Sequence, residues 1–400
     1  MRILVLSQYF WPENFRINDV VEGLASRGHQ VTVYTGLPNY PTGSFFDGYS
    51  AFGPFTGDFH GVKVRRVPLI PRGKGGSVRL ALNYLSHALM ATLLAPFQPK
   101  CDVILVFEPS PMTIGVPARA LRALKGAPLV FWVQDLWPES LSATGAVRSR
   151  MVLALVDRLI KWIYRGCDRV LVQSEAFIPS VEAHGVPRER IRYLPNSAEG
   201  FYKKTSPSGD DKDIPPGFRV MYAGNIGAAQ DFATILAAAE RLREEKHIQW
   251  IVLGDGRMRG WVESEVKRRS LANVHLLGQR PPESMPRYFA HADVLLATLA
   301  RQPIFAYTIP SKIQSYLACG RPVIAALEGE GGRIIRSAGA GWAVPPEDPA
   351  ALAEAVRAAS RLARSELDAM GNRGEAWFQE HFEREKLLSR LEGFLQEARK

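Results

Sequence analysis

The chain has 400 residues, 46% of them hydrophobic and 22% charged, which excludes a disordered or fibrous protein and, at roughly 100–200 residues per domain, requires two or three domains. Fifty Lys and Arg against 40 Asp and Glu give a net charge of +10, so a partner selected by charge is negative: a phosphorylated substrate, anionic lipid or nucleic acid. Nucleic acid ranks last, because no zinc finger, aromatic RNP strand or basic helical arm is present.

The start, Met1 to Leu6, lacks the pattern of a signal peptide. No stretch reaches the ~18 uninterrupted apolar residues of a spanning helix. Cys101, Cys167 and Cys319 show no CxxC spacing, so neither a disulfide framework nor a zinc site is expected. These features together predict a reduced protein on the cytoplasmic side of the membrane.

Ile3-Leu4-Val5-Leu6 reads as a buried strand, followed by the loop Ser7 to Arg16. Ile17, Val20, Val21, Leu24 and Ala25 then fall at helical spacing, and Val31 to Tyr34 reads as the next strand. Strand, loop, helix and strand make a parallel βαβ unit. The loop Tyr9-Phe10-Trp11-Pro12-Glu13-Asn14-Phe15-Arg16 lies at a strand carboxyl end, where Glu13, Asn14 and Arg16 among aromatics suit an acceptor sugar. Aromatic packing is the other reading of that loop.

Arg65, Arg66, Arg72, Lys74 and Arg79 precede the nearly apolar run Leu80 to Phe97, interrupted by Asn83, Ser86 and His87. A basic stretch beside such a helix reads as interfacial, with Arg72, Lys74 and Arg79 on an anionic membrane. A core helix behind a solvated loop is the alternative. A second basic helix carries Arg148, Arg150, Arg158, Lys161 and Arg165 around Leu153, Leu155, Val156, Leu159, Ile160 and Ile163. Strands are predicted at Val103–Phe107, Leu129–Val133 and Val170–Val172. The segment Phe131 to Glu139 ends its strand in an aromatic, polar loop holding Gln134 and Asp135.

From Phe201 to Gly217 the pattern gives way to polar, Pro- and Gly-rich sequence, a linker in which Asp210-Asp211 is solvated rather than metal-binding. The strand–helix rhythm then restarts, with strands at Arg219–Tyr222, Trp250–Leu253, Val274–Leu277, Val294–Ala297 and Pro322–Ala325 and a helix from Phe232 to Glu244. The expected organisation is a first domain over 1–199, a linker over 200–217 and a second domain over 218–376. A last helix, about 377–400 with Phe378, Phe382, Leu387, Leu388, Leu391 and Leu395, crosses back to the first domain. Two doubly wound α/β domains facing each other would put their strand ends in a central cleft.

Gly224-Asn225-Ile226-Gly227 follows a strand and precedes a helix, where glycines admit a phosphate to backbone N–H groups or serve only chain reversal. Gly254-Asp255-Gly256 is a turn beneath a nucleotide or a plain strand end. Pro310-Ser311-Lys312 carries the strongest signal: proline stiffens the entry, Ser311 can cap the helix, and Lys312 adds a cation to the free N–H groups of the first turn. A diphosphate leaving group needs that combination when no metal neutralises it. An ordinary N-cap with a solvated lysine is the alternative. No Asp-x-Asp pair sits at a predicted strand end, so no metal or other cofactor is expected.

In order and spacing the chain resembles the GT-B-fold retaining glycosyltransferases of family 4, in particular the bacterial branch that builds cell-surface polysaccharides and O-antigens. The resemblance spans nearly the whole chain. It rests on Arg27-Gly28-His29-Gln30-Val31, Leu194-Pro195-Asn196-Ser197, Tyr222-Ala223-Gly224-Asn225, Gly254-Asp255-Gly256, Ala292-Asp293-Val294 and Tyr316-Leu317-Ala318-Cys319-Gly320-Arg321-Pro322-Val323. It implies a peripheral enzyme at the cytoplasmic face of the inner membrane. That enzyme would move a sugar from a nucleotide diphosphate donor, UDP-linked and N-acetylated or 6-deoxy, to a polyprenyl-diphosphate-linked acceptor. It also places Gln134 and Asp135 near the reacting carbon; Asp135 capping the following turn is the other reading. The family's two glutamates, seven residues apart, match Tyr307 and Ser315 here, and its phosphate-binding Arg and Lys match Asn225 and Gln230. Ser315 is then a ribose partner, and Lys312, helped by Arg280 and Arg301, carries the phosphate charge. A nucleotide-sugar epimerase of the same fold and a non-catalytic nucleotide-sugar-binding subunit are the rival readings.

Overall fold

The computed structural model describes residues 1–73, 76–143, 149–207 and 213–399. Lys74, Arg148, Asp210 and Asp211 lie outside the described residues. The chain forms two compact units, Met1–Pro195 with Leu387–Lys400, and Asn196–Lys386.

In the first unit the strands are β1 (Arg2–Leu6), β2 (Gln30–Gly36), β3 (Thr56–Phe59), β4 (Val62–Val67), β5 (Val103–Glu108), β6 (Leu129–Val133), β7 (Arg169–Val172) and β8 (Ile191–Tyr193). They lie in the order β3-β4-β2-β1-β5-β6-β7-β8, parallel except for β3, which pairs antiparallel with β4 at one edge. The helices are α1 (Arg16–Ser26), α2 (Ser77–Leu93), α3 (Gly115–Lys125), α4 (Glu139–Ala143), α5 (Arg150–Arg165) and α6 (Ile178–Ala183). A strand buried on both faces alternates its side chains between two helical layers. Ile3, Val5, Val31, Val33, Val103 and Leu105 meet Ile17, Val21 and Leu24 of α1 on one face. On the other, α2 packs beside α3, and α3 beside α5.

The second unit contains β9 (Phe218–Ala223), β10 (Ile248–Leu253), β11 (Val274–Gly278), β12 (Val294–Thr298), β13 (Val323–Ala326) and β14 (Gly341–Val344), ordered β11-β10-β9-β12-β13-β14 and parallel throughout. Its helices are α7 (Phe232–Arg241), α8 (Arg259–Arg268), α9 (Met285–His291), α10 (Pro303–Tyr307), α11 (Ser311–Ala318), α12 (Glu330–Ala338), α13 (Pro349–Ser360) and α14 (Arg364–His381). Strand order reverses direction between β9 and β12, the point at which open α/β sheets leave a crevice for ligands. Along β9, Val220 and Tyr222 face α7 and α13, while Met221 and Ala223 face the side holding α11 and α12.

The end of the chain departs from expectation. The sequence pattern joined Phe378 through Leu395 into one helix returning at about residue 377. Instead α14 and α15 (Arg384–Glu397) are separate. Phe378 and Phe382 fill the core of the second unit, and only Leu387, Leu388, Leu391 and Leu395 enter the first. The first division likewise falls at Asn196, ahead of the Pro- and Gly-rich stretch, because Ala198 and Tyr202 already pack in the second core.

Candidate active site

At the strand ends of the second unit, β9 stops at Ala223 and turns through Gly224, whose φ of +133° an L side chain rarely adopts. A Cβ on Gly224 would lie 2.7 Å from Lys312 Cε, and one on Gly254 would run into the Gly224 carbonyl. The two glycine turns are therefore packed backbone on backbone, tied by Gly224 N–H to Leu253 O at 2.8 Å and Ile226 N–H to Asp255 O at 2.8 Å.

Lys312 projects into this corner from the first turn of α11. Its Nζ lies 3.6 Å from the centroid of the Tyr222 ring and has no hydrogen-bond partner among the described residues. The stem is half-exposed while the ammonium is shielded, and burial lowers its pKa to about 7. One helical turn on, the buried Tyr316 hydroxyl accepts from Ala223 N–H at 3.2 Å and reaches the carbonyls of Ala223 (3.3 Å) and Leu296 (3.4 Å). Tyr316 thus fills the gap where β9 and β12 part, and fixes the helix that carries Lys312. A buried, unpaired ammonium beside free helix N–H groups is a site for an anion.

Other expected donor residues are placed differently. Asn225 Nδ2 donates to Gln230 Oε1 at 3.1 Å, so the two neutral residues at the family's Arg and Lys positions bind each other; Gly227 leads into the short turn Ala228–Gln230. The Asp255 carboxylate accepts Gly256 N–H at 2.7 Å, with Arg259 at 3.9 Å. Ser311 does not cap: Pro310 holds the N-cap position and no side-chain cap bond forms, since Ser311 is already inside the helix. Ser315 is buried and donates back to Ser311 O at 3.2 Å. Arg280 is held by Tyr288 Oη at 3.0 Å and faces Asp213 at 3.6 Å. Arg301 is bound to Pro346 O at 3.0 Å with Glu328 at 3.5 Å. Both guanidiniums are thus engaged by protein groups, leaving Lys312 as the cation poised at the turn. Tyr307 is exposed at the end of α10.

The strand ends of the first unit are aromatic and polar. Glu13, expected to face an acceptor, is buried: Oε1 accepts Asn39 N–H at 2.8 Å and Tyr40 N–H at 2.7 Å, and Oε2 accepts Phe10 N–H at 3.2 Å. It staples the loops after β1 and β2, and desolvation raises its pKa to about 7 against those bonds. Asn14 is exposed, and Arg16 is the half-buried first residue of α1. Gln134 offers its carbonyl to Gln173 Nε2 at 3.0 Å. Asp135 accepts from the Ser140 hydroxyl and organises its own turn, its pKa raised by burial. Sequence reasoning missed Glu108. Its carboxylate is buried beside the backbone N–H groups of Asp135, Gln134 and Ser110, none in full hydrogen-bond geometry, and its pKa is pushed well up by desolvation, then by Asp135. The available signal was a glutamate ending the apolar run Val103–Phe107.

The basic stretch is also redistributed. Arg66 is buried and donates to Trp11 O at 3.1 Å; Arg65 reaches Phe97 O at 2.9 Å and Arg79 reaches Pro71 O at 3.0 Å. Arg72 turns onto Tyr9 and Tyr40 rather than outward. The exposed groups here are apolar instead. Helix α2 buries Asn83, His87, Ala88 and Ala91, and exposes Val78, Leu82, Leu85 (59%), Leu89 (58%) and Leu93, continued by Phe97 (72%). In the same helical layer α5 exposes Met151, Val152, Leu155 and Trp162. Among the described residues no helix is long and apolar enough to cross a membrane.

Two Rossmann-like α/β units with parallel sheets, joined in one chain, define the GT-B class of fold. The Glycosyl transferase 4-like domain model matches residues 14–197 and the Glycosyl transferases group 1 model matches residues 217–361. The chain is 26% identical over 381 residues, 90% of it and 93% of the other, to WcaI of Escherichia coli strain K12, named as a colanic acid biosynthesis glycosyl transferase. It is 31% identical over 258 residues, 62% of it and 63% of the other, to the Pseudomonas aeruginosa protein WbjE, named as a glycosyltransferase. Among solved structures, Anabaena Alr3699/HepE in complex with UDP matches with a TM-score of 0.72 at 16% identity, over 99% of this chain and 100% of that one. A Burkholderia vietnamiensis trehalose-phosphate synthase matches at 0.74 and 14%, over 100% and 96%. With both domain models matched, the chain belongs to glycosyltransferase family 4 and is a glycosyltransferase.

Proposed function

We propose that the enzyme transfers a sugar, with retention, from a UDP-linked donor to a polyprenyl-diphosphate-linked acceptor at the cytoplasmic face of the inner membrane. The observation that carries the reading is Lys312 Nζ, buried and unpartnered at the switch point of the second sheet. When the glycosidic bond to the diphosphate breaks, negative charge gathers on the leaving oxygens, and a cation already in place needs no reorganisation to meet it. Solved HepE structures hold UDP and UDP-glucose, which supports the donor class. The family resemblance supports retention, with transfer on one face of the sugar and the leaving phosphate helping to take the acceptor proton.

Helix α2 supports the lipid. It turns its amide and imidazole inward and its leucines outward, the reverse of a helix facing water. A hydrocarbon surface accepts that arrangement, with the exposed Arg150 and Arg158 of α5, beyond α3, available to anionic headgroups. The deciding assay incubates the purified enzyme with labelled UDP-sugars and bacterial lipid extract. Label should enter the lipid fraction from one donor, with the anomeric configuration kept. An epimerised donor, or donor bound without transfer, would remove this reading.

A further inference from the structure

Arg72 lies between β4 and α2 at the strand ends of the first unit. Its guanidinium packs against a pair of aromatic rings, 5.0 Å from the Tyr40 centroid and 5.8 Å from that of Tyr9, which lie 5.6 Å from each other. One N–H donates to Tyr9 Oη at 3.1 Å, and the backbone N–H donates to Asn39 Oδ1 at 3.1 Å. The rings are fixed in turn: Phe15 stacks on Tyr9 at 5.0 Å and tilts against Tyr40 at 5.2 Å. The cation is therefore locked in direction before any ligand arrives.

Its charge has no counterpart. Among the described residues no carboxylate comes within 4.0 Å of it, unlike Arg27 on Glu392 or Arg122 on Asp168. The acid that feels it is Glu13, whose oxygens are already taken by three backbone N–H groups. The remaining guanidinium N–H donors meet no protein acceptor among the described residues. A rigid guanidinium with spare donors matches an anion that accepts two parallel hydrogen bonds, as a phosphate does. The exposed apolar row of α2 begins at Val78, six positions further along the chain. A phosphate carrying a long hydrocarbon fits that succession of cation and leucines. A free anion would have no use for the row, and a bilayer headgroup no need of a cation fixed in direction by two rings and a tyrosine hydroxyl.

We propose that Arg72, packed against Tyr9 and Tyr40, binds the phosphate of the prenyl-diphosphate acceptor rather than the membrane surface. This rests on the lipid-linked acceptor reading above. The chemistry is that of a phosphate ester, which an acceptor and a phospholipid both carry, so the test separates the two. Geranyl diphosphate, geraniol and inorganic pyrophosphate are titrated calorimetrically into the full chain carrying Lys312→Ala, with and without Arg72→Gln. Pelleting on phosphatidylglycerol vesicles is measured in parallel.

Arg72→Gln should weaken geranyl diphosphate binding at least tenfold, leave geraniol unaffected and leave pelleting unchanged. Pyrophosphate should bind more weakly than geranyl diphosphate and lose affinity with the same substitution. Arg72→Lys, which keeps the charge but not the fork, should recover part of the loss, and an unchanged Tm shows that the fold is intact. Equal affinities with and without Arg72, or no binding of geranyl diphosphate at all, overturn the proposal. So does lost pelleting with unchanged diphosphate binding, which assigns Arg72 to phospholipid. Binding through Arg72 without sugar transfer to any lipid would keep this site and remove the acceptor reading instead.

Discussion

At the scale of single residues, the site depends on polar groups buried without partners. Lys312 is one, and its pKa near 7 gives a pH signature. Free enzyme at pH 7 is about half protonated there, whereas a bound diphosphate favours the ammonium and raises the pKa. Donor binding then takes up a proton, and affinity should fall as pH rises above 7, by up to about tenfold per unit. Lys312→Arg, permanently charged, should flatten that slope. Lys312→Ala should lower kcat/KM by about 10²–10³ with little change in Tm. Titration of UDP between pH 6 and 9 checks the first expectation, and a slope unchanged by Lys312→Arg would exclude Lys312 as its source.

His87 is a second such group, buried on α2 with neither ring nitrogen bonded, and burial lowers its pKa to about 3. Its unfolded value is ~6.5. Below pH 6.5 the unfolded chain binds a proton that the folded one refuses, so the stability present above 6.5 is lost as pH falls toward 3. From pH 7 to 5 wild type should lose about 2 kcal/mol more than His87→Leu in urea unfolding of the first unit. Parallel losses in the two proteins would show that His87 does not titrate as its burial implies.

Among the elements, α2 is the least conventional. Asn83 faces inward because its amide is satisfied there, accepting from Gln8 Nε2 at 2.9 Å and donating to Ile70 O at 2.7 Å. Each leucine on the outer face would release about 1.5–3 kcal/mol on full burial in hydrocarbon, more than the ~1 kcal/mol of a surface lysine or arginine on an anionic leaflet. Leu85→Ser with Leu89→Ser should therefore abolish pelleting on vesicles more completely than 0.5 M salt does. Both side chains are exposed, so Tm should hold or rise. If salt alone releases the wild type and the double variant pellets normally, charge rather than α2 holds the membrane.

On the scale of the molecule, the first unit is finished by the last residues of the chain. Leu387, Leu388, Leu391 and Leu395 enter its core, and Glu392 binds Arg27 and His29, each at 2.6 Å. Truncation of a buried leucine costs about 2–5 kcal/mol, so losing four, about 8–20 kcal/mol, matches the whole 5–15 kcal/mol that holds a domain folded. A chain ending at Lys386 should lose the first unit's unfolding transition and become protease-sensitive up to Pro195, while the second unit still melts cooperatively. Leu391→Ala should lower only the first transition. A truncated chain with both transitions intact would show that the helix adds nothing to that core.

The sequence by itself determined what depends on periodicity and near neighbours. Short apolar runs such as Ile3–Leu6 and Val294–Ala297 became strands, the glycines at 224 and 254 became turns, and Lys312 fell in a first helical turn. Weak or short patterns were not legible: Thr56–Phe59 exists only as a hairpin on Val62–Val67, which pairs in turn with Gln30–Gly36, and the short strands Ile191–Tyr193 and Gly341–Val344 are formed by pairing with neighbours about twenty positions away. Only the tertiary structure decided which polar groups are spent and which are free. Arg72, Arg280 and Arg301 are all loop cations on paper, yet packing sets Asp213 and Glu328 beside the last two and leaves Arg72 on a tyrosine hydroxyl and aromatic faces. It likewise decided that α2 wears its leucines outside. The run Leu80 to Phe97 is nearly apolar all round, so periodicity cannot choose its buried face. That choice was made by hydrogen bonds to Asn83 from Gln8, 75 positions away, and from Ile70 in the segment ahead of the helix.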